Sequence, residues 1–370
     1  MSLRRHRKQD IDKAEASMQE WSLFRVTGRP DDIGYRLGEL ARPVMAAYIA
    51  QSAAWQQVSQ WRGHPFVERL RRVAEAHFPA LMEELDGMAA GLGMPAEDVF
   101  LWNCRGELIH NAPDGCTTLA AVAGNARFIA HNEDGDPYLH ERCFLVDVQP
   151  AGKPGFVSFY YPGSLPGHTF AANRAGLVQA INNLRIRVPA VGVPRMILAR
   201  AVLDTRSLDE AVTLLRDLPR ASGFHHTLGC VGDARLLSIE ATVQRCSVTA
   251  PVSAVTPCAG HANHLVHDGC ESEAQIVTDS SRDRQARVDA LLPRLRTPVT
   301  DDALLRVLRD RAGTGLPIFR DDPLDPDDEN TLATALFRIE ADGVAMQVYR
   351  QDHCAFDTFI PKAAGPQAAY

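Results

Sequence analysis

The amino-acid sequence predicts an α+β fold in which a helical segment precedes a larger β-rich segment. Residues 21–115 are dominated by apolar positions at helical spacing, whereas short β-branched and aromatic runs typical of strands begin after Asp114-Gly115. Strands and helices then come in clusters without strict alternation, which favours a layered α+β fold over parallel βαβ units. We expect residues 1–20 to be a disordered basic tail, and residues 21–115 and 116–370 to form one domain together.

Composition limits the classes of function. The chain has 370 residues, a net charge of −7, 45% hydrophobic and 23% charged residues, the balance of a globular enzyme. No basic stripe indicates a nucleic-acid partner, and no run of ~18 apolar residues indicates a membrane segment. The basic start lacks the apolar core of a secretory signal, so we expect a cytoplasmic protein with reduced thiols. No C-x-x-C pair is present, and we expect no cofactor.

In the first segment we expect a strand at residues 21–26, with Gly28, Gly34 and Gly38 interrupting the chain after it. Apolar spacing predicts one helix over residues 66–85 and a second helix after Pro95. In the second segment the predicted strands are 117–123, 127–132, 143–148, 156–161, 176–184, 227–231, 236–240 and 243–248. The predicted helices are 193–203, 207–218, 281–295 and 300–309, and a hairpin of residues 332–339 and 344–349 closes the chain.

The segment Asp114-Gly115-Cys116-Thr117-Thr118 is the strongest candidate for chemistry. We interpret it as a self-cleavage site that follows a Pro113-Asp114-Gly115 turn and opens an apolar strand. Because Gly115 has no Cβ, a thiolate can approach its carbonyl carbon closely. Attack by Cys116 would give a thioester, and hydrolysis of that thioester would leave Cys116 as the first residue of a new chain.

An N-terminal cysteine carries a nucleophile and a base in one residue. The pKa of an α-amine is ~7.7–8.0 and that of a thiol ~8.5, so a proton passes between them at little cost. Thr117 and Thr118 offer hydroxyls on opposite faces of the strand, and one of them can steady a tetrahedral intermediate. The alternative is an ordinary turn before a strand, because Asp-Gly-Cys recurs at residues 268–270, where polar residues follow.

The order of several motifs resembles the acyl-CoA:6-aminopenicillanic-acid acyltransferase family (peptidase family C45), a group of N-terminal nucleophile (Ntn) hydrolases. The resemblance covers residues 22–360. Besides the Cys116 segment, the motifs are the glycine-spaced residues 28–38, Leu101-Trp102-Asn103, Asn132-Glu133-Asp134, Asn173-Arg174-Ala175-Gly176-Leu177, Asn182-Asn183, His261-Ala262-Asn263-His264, Ser280-Ser281-Arg282-Asp283-Arg284 and Thr331-Leu332-Ala333.

The resemblance implies a four-layer αββα sandwich and self-cleavage between Gly115 and Cys116, with the two fragments remaining together as a heterodimer. It also implies that Asp134 lines the active site, where its carboxylate can hold the α-amine or a substrate amine. Asn183, beside Asn182 at the end of an apolar strand, is a further candidate, with turn capping as the alternative.

The chain departs from the family pattern in two places. His226 stands where many relatives carry an oxyanion-donor asparagine, and an imidazole can also donate such a hydrogen bond. The arginine that precedes the closing strands in the penicillin enzyme is missing, and the acidic residues 327–329 stand there instead. A penicillin substrate is therefore disfavoured.

Taken with the resemblance, these residues predict a self-processing cysteine amidohydrolase or N-acyltransferase that acts on a small N-acyl or peptide-like amide through a Cys116 thioester. The sequence does not decide whether water or an amine accepts the acyl group, and an acyl-CoA stays open as a partner although no segment is typical of a CoA phosphate site. Two alternatives remain. One is a noncatalytic family member, and the other a metal-dependent hydrolase using His225, His226, His261 and His264, which lack an accompanying carboxylate motif.

Overall fold

The computed structural model describes residues 21–109, 114–313 and 315–363, and two β-sheets form its centre. Sheet A has eight strands in the order β1-β4-β5-β6-β7-β8-β9-β10, and sheet B has six in the order β11-β2-β3-β12-β13-β14. The strands are β1 Leu23–Gly28, β2 Asp114–Ala123, β3 Ala126–Gly135, β4 Phe144–Pro150, β5 Phe156–Tyr160, β6 Phe170–Asn173, β7 Leu177–Leu184, β8 Gly223–Cys230, β9 Leu236–Ala241, β10 Cys246–Thr249, β11 Cys258–His261, β12 Asn330–Ile339, β13 Gly343–Arg350 and β14 His353–Pro361.

Helices cover the outer face of each sheet. They are α1 Pro30–Tyr48, α2 Ala53–Val58, α3 Pro65–His77, α4 Pro79–Leu92, α5 Ala96–Asn103, α6 Arg105–Leu108, α7 Arg195–Val202, α8 Leu208–Asp217, α9 Asp279–Leu291 and α10 Asp301–Leu308. Helices α9 and α10 pack on sheet B, and α1, α7 and α8 pack on sheet A. The inner faces of the sheets meet through β2, β3, β7 and β8. The expected four-layer αββα sandwich is therefore confirmed.

The alternation of side chains along β2 decides which residues reach the space between the sheets. Leu119 and Ala121 pack outward against α9 and α10. Cys116, Thr118 and Ala120 therefore point inward, toward sheet A, because successive side chains of a strand lie on opposite faces. The sequence places the nucleophile candidate on the inner face of the sandwich.

Several predicted elements differ from those observed. Residues 66–85 form parts of two helices, because the chain breaks at Phe78 before Pro79, which cannot continue the helical hydrogen bonding. Strand β2 already begins at Asp114, so Asp114 and Gly115 are extended rather than part of a turn. Strands β6, β11 and β14 were not predicted. The expected tail at residues 1–20 and Pro113 lie outside the described residues.

Gly34 does not interrupt the chain but lies within α1, at its contact with α4. A Cβ at Gly34 would lie 2.7 Å from the carbonyl carbon of Glu84 and 2.8 Å from the nitrogen of Met88. Gly91 on α4 faces α1 in the same way, with the Glu39 nitrogen 2.9 Å from the position of a Cβ. Glycine on both helices thus permits a backbone approach that any side chain would prevent.

In the described residues, no helix is both long and apolar enough to cross a lipid bilayer.

The contact between α1 and α4 predicts that Gly34→Ala destabilises the protein. The added methyl group overlaps backbone atoms that cannot rotate away, and overpacking of this kind costs ~1–3 kcal/mol. We expect a loss of this size in the free energy of unfolding measured with urea. Ala46→Val adds bulk at an exposed position of the same helix and is the control, with an expected change within ~0.5 kcal/mol. Equal stability of Gly34→Ala and the wild type would contradict the tight contact.

Candidate active site

The antiparallel pairing of β2 with β3 assembles the centre of the candidate site. Cys116 is the cross-strand partner of Glu133, and Thr118 is the partner of His131. All four side chains lie on the inner face of sheet B and are buried. Directly opposed residues of an antiparallel pair have neighbouring side chains, so the thiol, the carboxyl and the imidazole come together.

A chain of hydrogen bonds runs through these side chains. The Cys116 Sγ lies 3.9 Å from Glu133 Oε2, which lies 3.0 Å from His131 Nε2. The Tyr161 hydroxyl donates to Glu133 Oε1 at 2.9 Å. His131 Nδ1 lies 2.8 Å from Thr118 Oγ1. The carboxyl of Glu133 thus links the thiol to an imidazole.

Burial sets the protonation of this group. It raises the pKa of the Cys116 thiol well above its usual range, and the nearby carboxyls of Glu133, Asp114 and Asp134 raise it further while Arg284 opposes them. Burial also raises the pKa of the Glu133 carboxyl well above its usual range, with a further increase from Asp114. Burial lowers the pKa of His131 to about 3. Burial therefore favours the uncharged form of all three groups, the thiol, the carboxyl and the imidazole.

The backbone of Cys116 is held by Asn263 and Arg284. The Cys116 nitrogen donates to Asn263 Oδ1 at 2.8 Å. Arg284 Nη1 donates to the Cys116 carbonyl oxygen and, at 2.9 Å, to Thr117 Oγ1. Arg284 Nη2 also donates to Asn263 Oδ1, at 2.7 Å. Fully buried Arg284 on α9 therefore fixes both the main chain of Cys116 and the asparagine beside it.

The polar chain continues from Thr118 into sheet A. The Thr118 hydroxyl donates to Asn182 Oδ1 at 2.7 Å, and His225 Nδ1 lies 3.0 Å from the same oxygen. The rings of His225 and His261 stack with their centroids 3.5 Å apart. Thr118 and these two histidines border a cavity of about 110 Å³ between the sheets. The inner faces thus carry a continuous polar path beside the nucleophile.

The other predicted site residues near Cys116 do not all lie on the same face of the sheet as its thiol. Thr117 points outward to Arg284. Asp134 also lies on the outer face, opposite Gly115, and accepts from Thr331 Oγ1 at 2.6 Å. Asn183 contributes its carbonyl oxygen, which accepts from Asn263 Nδ2 at 3.1 Å, while its Oδ1 accepts from Arg195. Thr118 is therefore the one of these four that shares the inner face with the thiol.

The structure does not bring His226 together with Cys116. His226 pairs across the strands with Ile181, which packs against α7, and its ring lies beside Phe224 on that same outer face of sheet A. Its Nδ1 lies 3.4 Å from Gln179 Oε1. His225 is the neighbour that faces the interior, because a shift of one residue along a strand reverses the face.

The histidines suggested as metal ligands do not form one group. His226 faces α7, and His264 Nδ1 lies 2.7 Å from the Ser281 hydroxyl oxygen. His261 is engaged at both nitrogens, by Ala262 O at 2.8 Å and Glu240 Oε1 at 3.0 Å. Across the described ranges, the side chains whose ligand atoms converge within 4.8 Å are instead Cys116, His131 and Glu133. The four predicted histidines therefore do not form a common metal site.

Gly115 is enclosed by buried charged groups. Glu329 Oε1 accepts from the Asp114 nitrogen at 3.0 Å and from Arg185 Nη2 at 3.0 Å. Its Oε2 accepts from Arg320 Nη1 at 2.5 Å. Arg320, ten positions before β12, is thus a buried partner of Glu329 ahead of the closing strands.

Glu133, Asn263 and Arg284 lie in sequence motifs that do not by themselves indicate a role. His131 lies in none of these motifs. A signal for two of them was available. His131 lies in the predicted strand 127–132, which follows the Cys116 strand after a short turn, and Glu133 comes directly after it. A hairpin that continues by one residue pairs them with Thr118 and Cys116. Asn263 and Arg284 come from distant β11 and α9 segments, and only the tertiary structure brings them to Cys116.

Residues 122–352 match the family described as acyl-coenzyme A:6-aminopenicillanic acid acyl-transferase. A Drosophila melanogaster protein named Beta-alanyl-dopamine/carcinine hydrolase is 29% identical over 200 residues, which cover 48% of this chain and 50% of that protein. The chain therefore spans about half the length of this relative.

Two solved structures of conjugated bile acid hydrolase from Clostridium perfringens are also similar. One variant has a TM-score of 0.43 and 10% identity, covering 69% of this chain and 100% of its own. A second mutant has a TM-score of 0.41 and 12% identity, covering 66% of this chain and 92% of its own.

Arg195 connects Asp114 to Glu107. Its Nη2 lies 3.6 Å from Asp114 Oδ2, and its backbone nitrogen donates to Glu107 Oε1 at 2.9 Å. Burial raises the pKa of the Glu107 carboxyl from 4.5 to about 6, against the opposing effect of Arg195. Because the folded pKa exceeds the unfolded one, the stabilisation is fully present below pH 4.5 and is lost as the pH rises through about 6.

This pKa predicts how Glu107→Gln changes the pH dependence of stability. The amide stays neutral, so the variant should gain about 2 kcal/mol relative to the wild type between pH 4 and pH 7. Urea unfolding across this pH range measures the difference. Glu75→Gln, at an exposed position, controls for removal of a carboxyl group. A stability difference that does not change with pH would refute the raised pKa.

Proposed function

Because the chain belongs to the acyl-coenzyme A:6-aminopenicillanic acid acyl-transferase family, we propose that it is a self-processing amidohydrolase whose nucleophile is Cys116. The observation that carries the proposal is the position of the Cys116 thiol at the start of β2, beside Glu133 and with its backbone nitrogen on Asn263. The substrate class is a small N-acyl or peptide-like amide. The D. melanogaster relative is named a hydrolase, which supports water over an amine as the acyl acceptor.

Self-cleavage has to begin without a free α-amine, since the Cys116 nitrogen is still part of a peptide bond. We assign the base to Glu133 and His131. As the thiol proton passes to Glu133 Oε2, the carboxyl's own proton moves to His131 Nε2, 3.0 Å away. Because burial lowers the pKa of His131, the imidazolium is transient and returns this proton through Glu133 to the leaving Cys116 nitrogen. The thiolate attacks the Gly115 carbonyl carbon, the C–N bond breaks, and the Cys116 nitrogen takes a proton back. Water then hydrolyses the thioester.

Two oxygen atoms would be positioned to accept hydrogen bonds from the new α-amine. Asn263 Oδ1 already accepts from the Cys116 nitrogen. Asp134 Oδ2 has no hydrogen-bond partner among the described residues, and Gly115 is its neighbour on β2. Departure of Gly115 would open the space between this carboxyl group and the amine. The predicted role of Asp134 thus gains support from an oxygen that the uncut chain leaves unbonded.

Turnover of a substrate would use the same residues. The α-amine takes the thiol proton, and the thiolate attacks the amide carbonyl carbon. Asn263 is the side-chain amide that contacts Cys116, so we assign the oxyanion hydrogen bond to its Nδ2, in place of His226. The protonated amine then gives its proton to the leaving amine. A water molecule, losing a proton to the α-amine, hydrolyses the thioester and restores the thiol.

Cleavage would leave the fragments associated. Strand β1 lies in sheet A beside β4, and the buried positions of α1 belong to the same hydrophobic core as both sheets. Residues 21–115 therefore share their buried surface with residues 116–370, which supports a heterodimer of the two fragments.

The first test is the intact mass of the purified chain. We expect two fragments, with the larger beginning at Cys116, and one uncut chain for Cys116→Ala. Cys143→Ser, at another buried cysteine, is the control and should be cleaved as the wild type is. Hydrolysis of amides by the cleaved form should be lost in Cys116→Ala. A wild-type chain that stays whole and hydrolyses no amide would defeat the proposal.

The second test separates the base from the nucleophile. Glu133→Gln keeps the shape of the side chain but cannot pass a proton to His131, so self-cleavage should slow by at least ~100-fold, the contribution of a general base. Electrophoresis of samples taken after synthesis in a cell-free extract measures the rate.

Glu273→Gln is the matched control, because Glu273 is also a buried glutamate bonded to a neighbouring hydroxyl. It should be cleaved at the wild-type rate. His131→Gln should resemble Glu133→Gln, and circular dichroism checks that both variants fold. Wild-type cleavage by folded Glu133→Gln would rule out the assigned base.

A further inference from the structure

The self-cleavage reaction identifies the place of the substrate's acyl group. When Cys116 Sγ replaces the Cys116 nitrogen on the Gly115 carbonyl carbon, Gly115 becomes the acyl group of a thioester. A substrate acyl-enzyme carries its acyl group on the same sulfur. The groups around Gly115 therefore define the pocket for the first carbon atoms of the substrate's acyl group.

These groups leave no space for an L-configured branch at the α-carbon. A Cβ built on Gly115 lies 3.1 Å from Glu329 Cδ and 3.4 Å from Asp134 Cβ. The carboxylate oxygen Oε2 of Glu329 lies closer still. Carbon atoms in ordinary van der Waals contact are ~3.5–4.0 Å apart, so a methyl group at this position requires Glu329 to move.

Glu329 is not free to move. Its side chain is buried, and Arg185 and Arg320 donate to its two oxygens at 3.0 and 2.5 Å. Arg320 is in turn held by Asp325 through its Nε at 2.9 Å. Displacing the carboxylate would separate a buried negative charge from its guanidinium partners, which is a costly change. The wall beside Gly115 is thus rigid as well as close.

We propose that Glu329 makes this enzyme select acyl groups whose α-carbon is an unbranched methylene. The proposal rests on the proposed amidohydrolase function and adds its substrate class. Acylglycyl and β-alanyl groups meet the requirement, because both carry two hydrogens on the carbon next to the carbonyl. An L-aminoacyl group with a side chain does not, since its Cβ occupies the position that Glu329 closes.

The substrate test compares amides of one fluorogenic arylamine. Acetylglycyl, β-alanyl and acetyl-L-alanyl amides differ at the α-carbon while the leaving amine is constant. We expect kcat/KM for the acetyl-L-alanyl amide to be lower by about 30-fold than for the acetylglycyl amide. Glu329→Asp shortens the side chain while keeping its charge and should reduce this ratio to within about 3-fold.

The control is Asp327→Asn, which removes a different partner of Arg320, at 3.2 Å, and does not border Gly115. It should keep the wild-type discrimination. Equal hydrolysis of the acetylglycyl and acetyl-L-alanyl amides by the wild type would overturn the proposal.

Self-cleavage provides a second measurement that needs no substrate. Gly115→Ala should slow cleavage by about 30-fold, and Glu329→Asp in the same chain should restore most of the rate, whereas Asp327→Asn should not. Rapid cleavage of Gly115→Ala overturns the proposal even if no arylamide is hydrolysed. A wild-type chain that neither cleaves itself nor hydrolyses any amide would instead refute the proposed function. It would also refute the proposed selectivity, which depends on that function.

Discussion

The register between β2 and β3 is the constraint on which the candidate site depends. It sets Cys116 against Glu133 and Thr118 against His131, with all four facing sheet A. Since side chains alternate along a strand, a slip of one residue would put Asp134 opposite the thiol and turn the imidazole toward α9 and α10. The polar chain into sheet A, through Asn182, exists only in this register.

Around this pairing the interior holds an unusual number of ionisable groups. Glu329 is enclosed by arginines, while burial raises the pKa of Glu133 and of Cys116 and so favours their protonated forms. Charges that burial would penalise are thus either paired or suppressed. The two faces of β2 therefore carry different kinds of ionisable groups. Neutral proton carriers lie toward sheet A, and ion pairs surround Gly115 on the other side.

The sequence predicts the layers better than the site. Strand and helix periodicity, with the family resemblance, led to the αββα sandwich, because these depend on local patterns and motif order. Cys116 could be singled out since its neighbours in the chain carry the signal. Asn263 and Arg284 could not, because their positions beside Cys116 depend on how β11 and α9 pack. His226 shows the limit of motif comparison, since a one-residue difference in alignment reverses the face of the side chain.

Strand β1 has a consequence for the order of events during biosynthesis. It lies at the edge of sheet A, in parallel pairing with β4, so residues from both sides of Gly115 complete one sheet. In the proposed mechanism the base and the asparagine beside Cys116 come from β3 and from the β11 end, so the Gly115–Cys116 bond would break only after these distant segments have docked. A cut chain would therefore mark a molecule in which these segments had already folded together.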